Sequence, residues 1–140
     1  MSMILCLGLN FEAAISDDFE ESLVILDSAR EEGLTIQQNI FTTPFVYEID
    51  FHPKYHSIWD MTQYNEQYSP HNFQKAKITF KVLCDFLKQL IPKGDFCELY
   101  FCWIGEESDP IEQKVKIDLN QFDEESLYID EKYYIKFTNE

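Results

Sequence analysis

The chain opens on an apolar run, Met3 to Leu9, which has the length of a short strand and is closed by Asn10. The spacing then changes. Phe19, Leu23, Leu26 and Arg30 recur at three- and four-residue intervals, with Ile25 and Ala29 beside them, which predicts an amphipathic helix. Ser16 is its expected N-cap, Asp17, Asp18 and Glu20 suit the positive helix end, and Gly33 is its expected C-terminal stop. Residues 34–44 are polar, end in Thr42-Thr43-Pro44 and predict a loop or short irregular strand. Phe45 to Phe51 alternates, apolar at odd positions, and predicts a strand that Pro53 ends. Residues 52–69 have no clear period but carry Tyr55, Trp59, Tyr64 and Tyr68 among polar residues.

Ser69-Pro70 marks a second helix start, because proline suits the first turn. Phe73, Ala76, Phe80, Leu83, Leu87 and Leu90 hold a helical stripe up to Ile91-Pro92-Lys93-Gly94. Phe96 to Ile104 is apolar at nearly every position, as expected of a central strand buried on both faces. Gly105 to Pro110 is an acidic, turn-rich loop, and Val115 to Leu119 alternates as a strand. Leu127 to Ile129 and Tyr133 to Phe137 predict a hairpin joined by Asp130-Glu131-Lys132. The expected fold is a single α+β domain over residues 1–140, a mainly antiparallel sheet packed against two helices, in the order β-α-β-α-β-β-β-β.

Charge changes the picture most. The 140 residues hold 26 acids against 11 bases, a formal net charge of −15. Residues 1–36 carry eight acids and only Arg30, residues 105–140 carry eleven acids and four lysines, and the stretch between is nearly balanced. Such a field repels phosphate and anionic membrane and draws in a basic partner. Direct nucleic-acid binding is therefore not expected; Lys75, Lys77, Lys81 and Lys88 read as a solvated helix face. With no apolar stretch of membrane-spanning length and no predicted leader, the expected location is the cytoplasm.

Catalytic signatures are missing. The chain holds no nucleophile elbow, phosphate-binding loop, zinc-protease helix or dinucleotide fingerprint. Cys6, Cys84, Cys97 and Cys102 each sit inside an apolar run and read as small buried hydrophobes. Asp50, His52, His56 and Asp60 lie near one another, but Pro53 interrupts the helix that a His-x-x-x-His metal pair needs. No catalytic residue, metal or cofactor is implied.

Interfaces favour aromatic anchors inside a polar rim. Glu106, Glu107 and Asp109 in one loop, with Asp123, Glu124, Glu125, Asp130 and Glu131 interleaved with Tyr128 and Tyr133, supply both, and are the candidate partner-binding residues. Asp17, Glu20 and Glu21 form a second candidate surface. Two other readings are a small enzyme or ligand-binding domain using the aromatic loop 52–69 as a lid, and a structural subunit that self-associates through a sheet edge. Oligomeric state is left open.

An acidic α+β chain without catalytic motifs, with the strand Leu99-Tyr100-Phe101-Cys102-Trp103-Ile104 leading into Gly105-Glu106-Glu107, resembles the small immunity proteins of bacterial contact-dependent growth inhibition and related polymorphic toxin systems. The resemblance lies in whole-chain character. It implies stoichiometric occlusion of a cognate toxin, often a basic nuclease, with acidic side chains standing in for nucleic-acid phosphates.

Overall fold

The computed structural model describes residues 2–16, 18, 19, 22–122 and 127–140. Its strands are β1 (Met3–Leu9), β2 (Val24–Ser28), β3 (Phe45–Phe51), β4 (Phe96–Trp103), β5 (Gln113–Asp118) and β6 (Tyr133–Thr138). Its helices are α1 (Glu31–Asn39), α2 (Gln63–Tyr68) and α3 (Pro70–Leu90), with a 3₁₀ turn at Ile58–Asp60. The strands form one sheet in the order β2-β3-β1-β4-β6-β5. Every neighbouring pair is antiparallel except β5 and β6, which run parallel. This is the expected α+β class.

The two central strands bury both faces. Leu5, Leu7 and Leu9 of β1 and Leu99 and Phe101 of β4 join Phe73, Ala76, Phe80, Leu83 and Leu87 of α3 in one core. The alternate residues Ile4, Cys6, Tyr100 and Cys102 pack with Ile36 of α1 and with Phe41 on the opposite face. The continuous apolar runs in β1 and β4 follow from this double cover. Each large side chain so buried contributes about 1.5–3 kcal/mol by its removal from water. Among the described residues, no helix is long and apolar enough to cross a membrane.

Three local expectations are corrected, and with them the predicted element order. Residues 16–33 do not form one helix: Val24–Ser28 is a strand on β3, with Leu26 opposite Ile49, and the helix begins at Glu31. Val24 and Ile25 are consecutive β-branched residues that suit a pleated surface, and the pairing with β3 outweighs the helical spacing. Glu31 and Glu32 occupy the first turn of this helix, and Gly33 lies inside it. A Cβ there would stand 3.3 Å from Cys6 Sγ, so glycine lets α1 lie close on β1.

Residues 34–39, expected as loop, complete α1. The predicted hairpin is also absent, because 127–129 is not a strand. Ile129, fully buried, donates its N–H to the Met61 carbonyl at 2.9 Å. Lys132, in the left-handed region at φ 64°, donates its N–H to the Phe101 carbonyl and accepts from the Glu112 N–H. These bonds turn the chain into β6 between β4 and β5.

One buried charge organises the α1 face. Glu98 of β4 is fully buried. Its carboxylate accepts the Thr42 N–H at 2.9 and 3.1 Å, the Thr43 N–H at 2.8 Å and the Thr42 hydroxyl at 3.3 Å. The Tyr134 hydroxyl of β6 also donates to it. Gly8 lies opposite Glu98 in the β1–β4 register. A Cβ on Gly8 would sit 2.2 Å from Thr43 Oγ1 and 2.8 Å from a ring carbon of Phe41. The segment 41–43 therefore lies flat on the sheet because residue 8 has no side chain and residue 98 receives its N–H groups.

Glu98→Ala leaves these donors in the interior without an acceptor, and should lower unfolding free energy by about 3 kcal/mol. Gly8→Ala should cost about 1–3 kcal/mol through overpacking. Urea unfolding midpoints of the two variants check both values.

Candidate protein-binding groove

The acids of the loop after β4 are largely engaged within the chain. Lys132 Nζ lies 3.2 Å from Glu106 Oε2 and 3.0 Å from Asp109 Oδ2. The hydrogen bonds that Lys132 donates to Asp109 and Glu106 push its ammonium pKa up, so it stays charged. Glu107 Oε1 accepts the Gly105 N–H at 2.9 Å. Two of the three candidate acids in this loop thus share an internal cation, and the third closes the turn.

The C-terminal candidates meet a partner that sequence reasoning did not assign to them. The Tyr128 hydroxyl donates to Glu66 Oε1 of α2 at 2.8 Å, and its ring lies 5.9 Å from that of Phe73. On α2, Tyr64 and Tyr68 are one helical turn apart, with ring centroids separated by 4.7 Å. They are 69% and 63% exposed, unusual for such large rings beside a core. Thr62 starts this helix by accepting the Asn65 N–H at 3.1 Å.

Between α2 and the segment entering β6 lies a groove of about 490 Å³, lined by Tyr64, Tyr128, Tyr133 and Asp130, with Gln63 and Gln113 among its polar walls. Asp130 Oδ1 accepts the Glu131 N–H at 2.7 Å, placing both residues in the turn before β6. Tyr128, Asp130 and Tyr133 are therefore brought together, whereas Glu106, Glu107 and Asp109 belong to the Lys132 cluster. Asp123, Glu124 and Glu125 lie outside the described residues, as do Asp17, Glu20 and Glu21. Tyr64, Glu66 and Tyr68 went unassigned because their aromatic-rich stretch reads as a lid; the Thr62 cap three residues before Asn65 was the available signal of a helix.

The rest of that stretch is packed onto the protein. Ile58 is fully buried, and the Trp59 ring lies 6.3 Å from Phe101. The Thr79 hydroxyl of α3 donates to the His56 carbonyl at 2.6 Å. His56 pairs through Nε2 with Asp60, while His52 Nδ1 accepts the Lys54 N–H at 3.1 Å and its ring meets Phe19 edge-on. The two histidines thus do separate local jobs.

Strands β1 and β3 pair from Cys6 and Glu48 to Leu9 and Phe45. Beyond that register lies a crevice of about 250 Å³, whose lining includes Asp50, Tyr55 and Trp59. Arg30 donates to Glu48 at its rim at 2.9 Å. Burial, then the charges of Asp27 and Glu48, push the Asp50 carboxyl up.

Both sheet edges are blunted. The Leu23 carbonyl receives the His52 N–H, so Val24, Leu26 and Ser28 of β2 direct their backbone groups outward. Ser22 Oγ bonds to the Val24 carbonyl at 2.6 Å and accepts its N–H at 3.4 Å. The Ser16 N–H occupies the Leu26 carbonyl, and Asp27 Oδ1 accepts the Ser28 N–H. The other edge strand, β5, exposes Lys114 and Lys116. Local caps and edge lysines both oppose strand addition.

All four thiols are buried. Burial pushes Cys102 up to about 12, and raises Cys6 and Cys97 well above the ordinary value. A thiol so protonated is a poor nucleophile at neutral pH. The chain matches no protein-family model, no curated protein and no solved structure.

The thiols set a pH dependence. Below the ordinary thiol pKa of 9.0, Cys6, Cys97 and Cys102 are protonated in both folded and unfolded chains. Above it the unfolded chain releases protons that the folded chain retains, so stability falls as pH rises toward 12. Urea midpoints should be flat from pH 6 to 8 and drop above pH 9, by up to about 1.4 kcal/mol per pH unit for each such thiol. An aromatic disulfide reagent at pH 8 should label the thiols only after denaturation.

Proposed function

We propose that this protein acts by binding a basic protein through the face that carries the tyrosine-lined groove. In its most specific form it is an immunity protein that holds a cognate basic toxin, a nuclease in the sharpest version, and covers its active site. The observation that carries the reading is the exposed tyrosine pair Tyr64–Tyr68 beside a groove holding Asp130, on a chain of net charge −15. Large exposed rings supply contact area at low entropic cost, and the acidic field raises the encounter rate with a cationic surface. The occluding step is steric and electrostatic, and needs no chemistry from this chain.

A second reading rests on the crevice between β1 and β3, where Tyr55 and Trp59 of the aromatic stretch meet Asp50. In that reading the protein is a small ligand-binding domain or enzyme. A reproducible thermal shift with one small-molecule class, abolished by Trp59→Ala, would favour it. Self-association through a sheet edge is the least supported of the three, because β2 carries local caps and β5 exposes lysines.

Capture from lysate of the source cell at low and high salt, with mass spectrometry, tests the first reading. One stoichiometric basic protein, retained less as salt rises, is the expected result, and addition of the chain should inhibit that protein's activity. Asp130→Asn combined with Glu131→Gln should slow association and flatten its salt dependence. A neutral or acidic partner, or a salt response untouched by the double substitution, would count against this surface.

A further inference from the structure

We infer that the groove between α2 and the turn before β6 seats one arginine side chain of the basic partner, with its guanidinium against the tyrosine rings and Asp130 as its counter-ion. The inference rests on the protein-binding reading and specifies what the site recognises. Tyrosines from three separate places converge on the groove: Tyr64 from α2, Tyr128 from the segment before the turn, and Tyr133 from the start of β6. Among the described residues, its lining includes one acid and no lysine, arginine or histidine.

The nearest base in sequence is diverted. Lys132 lies two residues from Asp130, yet its ammonium is held by Glu106 and Asp109. Asp130 spends Oδ1 on the Glu131 N–H, and Oδ2 has no partner among the described residues. Among the described residues, the groove's carboxylate is thus left without an internal cation.

The tyrosine walls are braced. The hydroxyl of Tyr128 is committed to Glu66, which fixes the ring and, by that hydrogen bond, raises the phenol pKa so that it stays neutral. Tyr64 is backed by Tyr68. An anion would meet Asp130 and, among the described lining residues, no cation. A purely apolar segment would bury that carboxylate without a partner, which is unfavourable. A cation satisfies both the carboxylate and the ring faces.

Arginine fits better than lysine. Its planar, weakly hydrated guanidinium stacks on rings and presents paired N–H groups to a carboxylate, whereas an ammonium keeps its water more strongly. The amide groups of Gln63 and Gln113 add acceptors for the remaining N–H groups.

The test uses the intact chain and three fluorescein-labelled peptides of six residues: oligo-arginine, oligo-lysine and oligo-citrulline, followed by anisotropy at low salt. Oligo-arginine should bind about fivefold more tightly than oligo-lysine, and oligo-citrulline should not bind. Tyr64→Ala should remove that arginine preference, weakening oligo-arginine about fivefold and oligo-lysine less than twofold. Because Tyr64 is 69% exposed, its urea midpoint should match the parent chain, which separates loss of the site from loss of the fold. Asp130→Asn should weaken both cationic peptides.

Equal binding of the arginine and lysine peptides, or an arginine preference untouched by Tyr64→Ala, overturns the arginine site while leaving an acidic protein-binding surface in place. Failure of both cationic peptides to bind overturns the site and the basic-partner reading together.

Discussion

The buried carboxylate of Glu98 is the constraint on which the α1 face depends. A charge taken from water into a sheet interior is unfavourable unless donors surround it. Here the donors are the main-chain N–H groups of residues 42 and 43 and the hydroxyls of Thr42 and Tyr134. The carboxylate thereby joins β4, β6 and the segment following α1. That segment reaches it only across Gly8, where any side chain would meet Thr43 and Phe41. The approach of Phe41 to the sheet and the seating of Ile36 beneath α1 follow from the same closure.

On the other face the long helix α3 does comparable work by packing alone. Phe73 and Phe80 are fully buried or nearly so, and each meets an aromatic ring from the segment between β5 and β6: Tyr128 for Phe73 and Phe122 for Phe80. Ile129 then hooks onto Met61, and Tyr128 onto Glu66. The proposed partner-binding groove is a consequence of this docking. Two segments some sixty residues apart are held against one another by the core, and their exposed tyrosines share a rim.

Charge is distributed by the same logic. Glu106 and Asp109 pair with Lys132, and these pairs stabilise the turn that launches β6. Asp130 stands outside that arrangement. An abundance of carboxylates in a sequence therefore does not mark equivalent binding groups; the fold divides them into those with internal work and those turned to solvent.

Strands β1, β3, β4, β5 and β6 and helix α3 were legible along the chain because each places its apolar residues with the period that its own burial requires: two-sided runs for the central strands, alternation for the outer ones, a three-and-four stripe for α3. Segment 16–33 was not. Its apolar residues satisfy a helical spacing and a strand equally well, and only the presence of β3 alongside resolves the choice. The run at 127–129 looked like a strand because buried residues in irregular segments are apolar too. Glu98 gave no local sign of its role, since its partners are main-chain groups more than fifty residues away. By itself the chain determined its α+β class, its strongly acidic field and its buried thiols, and it marked Tyr128, Asp130 and Tyr133 as candidates that the fold then places around one groove. Tertiary structure alone decided that Tyr64 joins them, that Glu106 and Asp109 bind Lys132, and that the edge β2 exists at all. The reason is common to all three: periodicity and composition report burial, whereas the partner of a polar group is set by which distant segment the core brings beside it.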